Sequence, residues 1–383
     1  MEINIIRTLN MNFNLASHYK CLNLHQRSTN IMSRTIIRTI TFMILPLLTM
    51  VSAPLLGQDA QYKIVTAGFY NVENLFDTED DPLIRDEEFT PDGKRAWTVE
   101  KYQEKLANMA YVISQIGKEK NPNGLSFLGL AEVENKKVLE DLVVQSSIKD
   151  KNYKIVHIDS PDRRGIDVAM IYNPNHFTPI KADTIPYLIY NKDASRRRTR
   201  NILYVKGLLD SDTLHVLVNH WPSRSGGESR SAPFRNQGGK ICRSFVDSLS
   251  QVNPMSKILI MGDLNDDPNS ASIKTHLRAK SRVKDVFEGD VYNPMADFYR
   301  RGLGSNAYRD AWSLFDQVIL SYGIMDRDQD GYFYYSANVF NKRFLIQQSG
   351  RYKGYPFRTF SGDTYQGGYS DHFPVYVHLV KKI

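Results

Sequence analysis

Short apolar segments alternate with amphipathic segments along this chain, and the pattern predicts a layered fold. Runs of apolar and β-branched residues predict strands at 63–72, 124–131, 153–158, 166–172, 202–208, 214–219, 257–261, 317–321 and 375–380. Apolar residues at helical spacing predict helices over 99–116 and from about Pro233 to Val252. Many strands with few helices between them indicate an α+β fold. Residues 341–368 show neither pattern, and we expect loops there.

Residues 1–57 have the pattern of an export leader. Residues 39–56 carry no charge and follow Arg34 and Arg38, which is the layout of a secretory signal peptide. A transmembrane anchor is the alternative, but the run is short for a span of about 20 residues and contains two prolines. We expect residues 32–57 to be a cleaved signal and residues 1–31 to be an over-extended start or an unusual leader. No cysteine follows the run, so a lipid anchor is not indicated. We expect residues 58–383 to form one domain that is secreted or periplasmic and has no membrane span.

The composition is that of a globular protein, with 42% hydrophobic and 24% charged residues. These fractions exclude collagen-like, coiled-coil and wholly disordered chains. Two cysteines cannot form a disulfide framework, and only Cys242 remains after the leader. The formal charge of +7 includes five basic residues and one acidic residue of the leader. Without them 44 basic residues face 41 acidic ones, and a net charge of +3 gives only weak support to nucleic-acid binding.

Several predicted strands end in a cluster of Asn, Asp, Glu or His side chains. Loops at strand ends are where rigid scaffolds present reactive groups, although each cluster taken singly is also typical of caps, turns or structural histidines. The candidate site residues are Asn71, Glu132, His220, Asp263, Asn265, Asp316, Asp371 and His372.

The side-chain chemistry of this set favours hydrolysis of a phosphate ester. Carboxylate and amide oxygens suit a hard cation, Mg²⁺ first, with Mn²⁺ or Ca²⁺ as alternatives. The chain has no HExxH and no CxxC motif, so no zinc site of those types is indicated. Histidine beside carboxylate can activate water or protonate a leaving oxygen, and a hard cation offsets charge on a phosphoryl oxygen. Neither GxGxxG nor GxxxxGK[ST] is present, which argues against hydride transfer and a P-loop kinase.

The ordered motifs NVENLFD, GLAEVEN, RRGIDVAMIY, VNHWPS, GDLND, FDQVILS and YSDHFPV extend the argument. In this order they resemble the endonuclease/exonuclease/phosphatase family with the DNase I-like fold, and most of all its secreted bacterial members. The resemblance covers residues 62–381 and implies a four-layer α/β/β/α sandwich, with two mixed sheets packed face to face between helices. It places the site at one edge of the sheets.

The resemblance also implies roles for the acids and amides. Glu132 would be the main metal ligand, with Asn71 nearby and Asp371 as a second ligand or an orienting group. Asp263 would orient or deprotonate the attacking water, and Asn265 would hold the phosphate.

The two histidines receive roles in the same way. His372 would contact the scissile phosphate as a base or as a stabiliser of the transition state. Asp316 would hydrogen-bond His372 and fix its tautomer. His220 would donate a proton to the leaving oxygen or hold a phosphate oxygen.

Arginines near these motifs are candidates for substrate binding. Guanidinium groups suit phosphate oxygens, so we expect Arg224, in the loop after His220, to anchor a phosphate. The resemblance places Arg164 among the substrate contacts. The basic run at 196–200 is interpreted as the solvated edge of a strand.

The segment DRDQDG at 326–331 begins like a calcium loop. Its twelfth position is Ala337 and not Glu, so the EF-hand pattern fails. A polar turn is expected, with a Ca²⁺ site as the alternative.

Together these observations predict an exported, metal-dependent phosphodiesterase, first of all an endonuclease that uses one-step attack of water. One alternative is a lipid-headgroup phosphodiesterase or phosphatase, as in sphingomyelinases and inositol phosphatases of this fold. Another is a catalytically inactive binding protein. We expect a monomer whose partner is nucleic acid or another phosphodiester, without a stable protein partner.

Overall fold

The computed structural model describes residues 61–328 and 330–383. The predicted leader, residues 1–57, lies outside the described residues, as does Gln329. The described residues lie in one compact unit, Ala60–Ile383. Within them, no helix has both the length and the apolar character that a membrane span requires.

The described chain contains long strands, short strand pairs and a few helices. The strands are β1 (Tyr62–Leu75), β2 (Phe127–Val133), β3 (Lys154–His157), β4 (Asp167–Tyr172), β5 (Phe177–Ile185), β6 (Ile189–Tyr190), β7 (Arg196–Arg197), β8 (Ile202–Leu209), β9 (Asp212–His220), β10 (Lys257–Asp263), β11 (Ala279–Lys280), β12 (Val291–Tyr292), β13 (Asn306–Tyr308), β14 (Ala311–Ser313), β15 (Asp316–Ser321), β16 (Phe333–Val339), β17 (Phe360–Ser361), β18 (Thr364–Tyr365) and β19 (Val375–Lys382). The α-helices are α1 (Val99–Gln115), α2 (Lys136–Val143), α3 (Glu228–Val252), α4 (Met295–Arg300) and α5 (Tyr322–Met325). Single turns of 3₁₀ helix lie at Glu87–Phe89, Lys149–Lys151, Val283–Asp285 and Arg343–Leu345, and a π-helical turn at Ser272–His276.

Two mixed sheets form the centre of the fold. The first has the strand order β16-β19-β1-β2-β4-β3, and the second has the order β11-β12-β15-β10-β9-β8-β5. In the first sheet β1 runs parallel to β2 and antiparallel to β19. In the second sheet β10 runs parallel to β9 and antiparallel to β15. Each sheet therefore has a central parallel pair, β1–β2 or β9–β10, whose carboxyl ends lie at one edge of that sheet.

The two sheets pack face to face, and helices cover their outer faces. Gly129 of β2 lies so close to the other sheet that a Cβ atom there would stand 2.8 Å from the sulfur of Met261 in β10. Along β10, Leu259 and Met261 join the core between the sheets, while Ile258 and Ile260 join the core beneath α3. A strand buried on both faces reads as a continuous apolar run, which is why this one was easy to predict. The predicted four-layer α/β/β/α sandwich is confirmed.

The predicted elements agree with the structure in the interior and differ at the edges. Every predicted strand is present with its ends within about three residues, and α1 matches its prediction. The prediction missed β5 and β16, which are edge strands with few buried residues and so no continuous apolar run. It also missed α2 and began α3 too late, because α3 starts at Glu228 inside a Gly- and Ser-rich segment. The expected loops at 341–368 contain only one 3₁₀ turn and the β17–β18 hairpin.

Candidate active site

The polar strand ends meet at one edge of the sandwich. Asn71 and Glu132 lie near the ends of β1 and β2, and His220 and Asp263 are the last residues of β9 and β10. Asp316 is the first residue of β15. In the register of the second sheet, Asp263 pairs with His220 on one side and with Asp316 on the other. Three neighbouring strands therefore bring these three residues into one row.

His372 enters this row from the other sheet and is bound to Asp316. It precedes β19, and its Nδ1 lies 2.6 Å from Oδ2 of Asp316 with both side chains buried. Burial alone would lower the pKa of His372, but the charge and the hydrogen bond of Asp316 raise that pKa well above its ordinary value. His372 is therefore a cation at neutral pH, and its Nε2 remains for a substrate.

Asp263 is a buried carboxylate held by two amide groups. Its Oδ1 accepts the backbone N–H of Asn265 at 2.9 Å, and its Oδ2 accepts Nδ2 of Asn71 at 3.1 Å. Burial raises the pKa of Asp263, and the charge of Asp316 raises it further, while His372 opposes the shift. A carboxylate with a raised pKa is better suited to accept a proton near neutral pH.

Glu132 has an unusual backbone conformation for a strand residue. Its φ is 64°, and the pairing of β2 with β4 shifts register around it. Bulges and residues in left-handed conformations are concentrated at functional sites. Oε2 accepts the N–H of Asn74 at 3.0 Å, and the side chain remains 17% exposed. This makes Glu132 a solvent-accessible carboxylate beside the buried Asp263.

Asn71 faces the acids of the site through its amide nitrogen. Its Oδ1 accepts the N–H of Glu73 at 3.0 Å, which fixes the orientation of the amide. Its Nδ2 therefore faces the acids and lies 3.3 Å from Oε1 of Glu132 as well as near Asp263. In this conformation Asn71 orients the two carboxylates through its amide nitrogen, and its role in metal binding stays a prediction.

His220 is buried and neutral. Its Nε2 lies 3.6 Å from Oδ2 of Asp263 and 3.8 Å from Oε1 of Glu132, and its Nδ1 has no hydrogen-bond partner in the described chain. Burial lowers the pKa of His220 well below its ordinary value, and Arg200 and Arg164 lower it further. A neutral imidazole is a poor acid, so the geometry favours the predicted role of holding a phosphate oxygen over that of donating a proton.

Arg200 is a site residue that the sequence interpretation missed. The run at 196–200 was interpreted as a solvated edge, which holds for Arg196, Arg197 and Arg198 but is wrong for Arg200, which is buried. Arg200 donates to Oδ2 of Asp162 at 2.9 Å and to the carbonyl of Trp221 at 2.8 Å. The sequence did carry a signal, namely two predicted strands joined by a short turn. Their antiparallel pairing brings the residues before β8 beside the end of β9.

The carbonyl of Trp221 joins two parts of the site. It accepts Arg200 and also Nδ2 of Asn265, the latter at 3.0 Å. Asn265 has a φ of 50° and gives its backbone N–H to Asp263. The loop after β10 is therefore fixed to the loop after β9, and Asn265 lies buried beside Asp263.

Arg224 does not lie free to anchor a phosphate. It donates to Asp267 at 3.1 Å, to Asp266 at 3.3 Å and to the carbonyl of Asn265 at 3.1 Å, and another nitrogen meets Glu228. Acids of the loop after β10 hold the guanidinium in this conformation, and the anchor role stays a prediction. Arg224 clamps that loop.

Arg164 and Asp371 lie at the rim of the site. Arg164 is 54% exposed, 3.6 Å from Asp162, and close enough to His220 to influence its pKa. Asp371 accepts Nη2 of Arg358 at 2.7 Å and lies 4.0 Å from Nε2 of His372. These positions suit a substrate contact for Arg164 and an orienting role for Asp371.

A buried lysine supports the loop that leads to His372. Nζ of Lys105 donates to Oγ1 of Thr359 and to the carbonyl of Tyr369, both at 2.6 Å. Glu73 accepts the N–H of Thr359 at 2.7 Å. The sequence pattern did not single out Lys105, although a lysine beside the apolar stripe of a helix is a recognisable signal.

The polar turn at 326–331 is supported by a lysine. Nζ of Lys257 donates to the carbonyl of Asp330 at 3.1 Å and to Oδ2 of Asp212 at 2.5 Å. An ammonium group thus supplies the positive charge next to this turn, and the calcium alternative gains no support.

The donor set at the site fits a hard cation. Mg²⁺ keeps several waters and takes one or two protein carboxylates, and Glu132 offers such a group with solvent access. Asp263, Asp316 and His372 also bring ligand atoms within 4.8 Å of one another. That trio is buried and contains the His372–Asp316 hydrogen bond, so it is better suited to proton handling.

Comparison with known proteins places this geometry in context. The profile described as Endonuclease/Exonuclease/phosphatase family matches residues 66–381. An endonuclease/exonuclease/phosphatase family protein from Bacteroides thetaiotaomicron has 13% identity and a TM-score of 0.50, covering 84% of this chain and 100% of that one.

Two further solved structures are similar at lower scores. A D. rerio TDP2 humanized by 14 mutations has 10% identity and a TM-score of 0.49, covering 82% of this chain and 98% of its own. A mannosyl-6-phosphatase from Bacteroides thetaiotaomicron VPI-5482 has 12% identity and a TM-score of 0.49, covering 82% and 99%. A search of curated proteins found no match.

Proposed function

The chain belongs to the endonuclease/exonuclease/phosphatase family, and from this premise we propose that it is an exported, metal-dependent phosphodiesterase that cleaves nucleic acid as an endonuclease. Membership makes it a hydrolase of phosphate esters. One observation carries the proposal: a charged His372, a neutral His220 and the buried Asp263 converge on one point beside the accessible Glu132.

Asp263 is suited to act on the attacking water. Its raised pKa allows it to accept a proton, and the N–H of Asn265 and the amide of Asn71 fix its two oxygens. Water held by Asp263 is then oriented for in-line attack: the bond from the water oxygen to phosphorus forms as the bond from phosphorus to the leaving oxygen breaks, in one step without a covalent intermediate.

The two histidines stabilise charge on the phosphoryl group. His372, held as a cation by Asp316, donates from Nε2 to one oxygen, and neutral His220 donates to another. A fixed donor of this kind contributes about 3–4 kcal/mol to the transition state. Asn265 and the exposed Arg164 are the proposed substrate contacts around them.

A metal ion would be held by Glu132, with Asp371 as an orienting neighbour of His372 and not a required ligand. Mg²⁺ is the proposed ion, and Mn²⁺ or Ca²⁺ are its alternatives. When bound, the ion supplies positive charge that offsets the charge developing on the phosphoryl oxygens.

Export and a monomeric state complete the proposal. The pattern at 32–57 supports export, and residues 58–383 are proposed to act as one catalytic domain without a stable protein partner.

The test is an activity panel with the purified protein. Plasmid DNA, RNA, sphingomyelin, a phosphoinositide and bis(p-nitrophenyl) phosphate are each incubated with Mg²⁺, Ca²⁺ or EDTA. We expect cleavage of plasmid and of the small diester, with EDTA suppressing both. Activity on lipid alone would overturn the nuclease assignment.

Variants locate the activity in the site. Glu132→Ala and His372→Ala are expected to lose most turnover of the small diester. Glu140→Ala removes an exposed carboxylate of α2 and serves as the matched control. Normal turnover in both site variants would refute the proposed site.

A further inference from the structure

A cavity of about 970 Å³ lies next to the catalytic edge, and most of the charged residues in its lining are basic. Its wall includes Lys274, Arg278, Lys280 and Arg300, against Asp285 as its one acidic residue. It is large enough for a nucleotide-sized ligand, because ligand pockets are typically about 300–1,000 Å³. None of the roles assigned above uses these residues.

The cations of the cavity keep free hydrogen-bonding capacity. Nη2 of Arg278 donates to Asp247, and Nη2 of Arg300 donates to Asp297 at 3.1 Å. Each guanidinium therefore uses one of its three nitrogens in a hydrogen bond. Both arginines are more than half exposed, and exposed ion pairs of this kind are weak. The ammonium group of Lys274 has no ion pair or hydrogen bond within residues 61–328 and 330–383, and that of Lys280 lies 3.6 Å from Oδ2 of Asp290. The cavity can therefore offer several donors to an anion.

Aromatic rings and two chain connections link the cavity to the site. Trp312 lines the cavity and stacks on Phe373, the residue after His372, with ring centres 5.9 Å apart. Asn306 of β13 forms a β-bridge with His372. Strand β13 pairs with β14, the strand that contains Trp312. On the opposite side, Asn269 of the lining follows the loop of Asp263 and Asn265. The cavity is therefore adjacent to the catalytic residues.

We propose that this cavity binds a second phosphate and its neighbouring base on a nucleic-acid strand, at one side of the scissile bond. Arginine and lysine donors match the phosphate, and the rings of Trp312 and Tyr299 match a base. This alternation of cations and aromatic faces is typical of proteins that hold single strands. The inference rests on the proposed nuclease function and names the part of the substrate that lies outside the reacting phosphate.

The kinetic test uses the double variant Lys274→Ala/Arg300→Ala of the exported protein. We expect kcat/KM for a single-stranded oligonucleotide to fall about tenfold or more, because two charged hydrogen bonds are lost. The dependence of log KM on log salt should become shallower by about 1.4, because each phosphate contact on a single strand contributes about 0.7. Turnover of bis(p-nitrophenyl) phosphate, which has no second phosphate, should not change.

A matched control removes the same charge elsewhere. Lys149→Ala/Lys192→Ala alters two exposed lysines outside the cavity and should leave both substrates unaffected. Equal losses on both substrates in the cavity variant, or no loss on the oligonucleotide, would overturn the proposal. If the unaltered enzyme cleaves neither substrate, the proposed function fails, and the binding measurement below still decides whether the cavity takes nucleic acid.

Fluorescence reports binding directly. The chain has three tryptophans, of which Trp97 and Trp221 are fully buried and Trp312 is 39% exposed, so iodide quenching reports Trp312. We expect the oligonucleotide to protect Trp312 from iodide in the unaltered protein and to protect the double variant much less. Protection by inorganic pyrophosphate without protection by the oligonucleotide would contradict a strand-binding site.

Discussion

Replacement of Asp316 by asparagine tests the central pair of the site. The substitution removes one negative charge from a side chain that is fully buried and 2.6 Å from Nδ1 of His372. Asparagine is nearly isosteric and its Oδ1 can still accept the Nδ1 proton. The variant therefore keeps the position of His372 and changes its charge.

The expected stability loss follows from the type of hydrogen bond. Bonds to charged groups contribute about 1.5–3 kcal/mol and neutral ones about 0.5–1.5, so the loss is about 1–1.5 kcal/mol. Unfolding entropy of about 2.1 cal/mol/K per residue gives roughly 0.7 kcal/mol/K for residues 61–383. The melting temperature should therefore fall by about 2 °C.

The loss should depend on pH in a definite direction. The pKa of His372 is raised in the folded protein, so its contribution is complete below the unfolded value of about 6.5 and disappears as pH rises through the raised folded pKa. The difference in melting temperature between the two proteins should be largest near pH 6 and shrink in alkaline solution. Turnover near neutral pH should fall about 10²-fold or more, because the imidazole loses its charge.

Calorimetry from pH 5.5 to 9.5 and pH–rate profiles on bis(p-nitrophenyl) phosphate provide the assay. Asp150→Asn, at an exposed position, is the matched control. A stability difference that stays constant over this range, or turnover equal to that of the unaltered enzyme, would refute the assigned pairing.

Three further predictions concern the metal, the packing and the supporting network. Mg²⁺ at about 100 times its dissociation constant should stabilise the protein by about 2.7 kcal/mol, or about 4 °C, and Glu132→Gln should abolish this shift in a thermal assay against EDTA. Gly238→Ala places a Cβ 2.6 Å from the ring of Trp221, so overpacking of about 1–3 kcal/mol should exceed the helix-propensity gain of about 1 in urea unfolding. Greater stability of that variant would contradict the packing argument. Lys105→Met removes the charged hydrogen bonds to Thr359 and to the carbonyl of Tyr369, and with them the positive charge that favours ionised Glu73, and should cost about 3 kcal/mol or more. Because burial raises the pKa of Glu73 to about 7, the loss should be larger at pH 8 than at pH 6, and an equal loss would count against the network.

The interior strands, and the polar residues that meet at one edge of the sandwich, were readable from the sequence. Strand β10 is buried on both faces, so its apolar run is continuous and its end at Asp263 is plain. The polar residues at the ends of such runs predicted a cluster of site residues. In the structure, His220, Asp263 and Asp316 form one row across three neighbouring strands. Edge strands such as β5 contain few buried apolar residues, because solvent lies where a neighbouring strand would be. The sequence pattern therefore did not predict them.

The partners of the polar side chains were decided only by the tertiary structure. Arg224 and Arg200 have the same chemistry, and both lie close to the site. Acids of the loop after β10 bind Arg224, whereas Arg200 is buried near His220. Asn71 follows its strand as predicted, but the N–H of Glu73 turns its amide so that a donor faces the acids. Periodicity records which residues are buried, since burial follows the repeat of a strand or helix. It does not record which donor meets which acceptor, because that choice depends on loops brought together from distant parts of the chain.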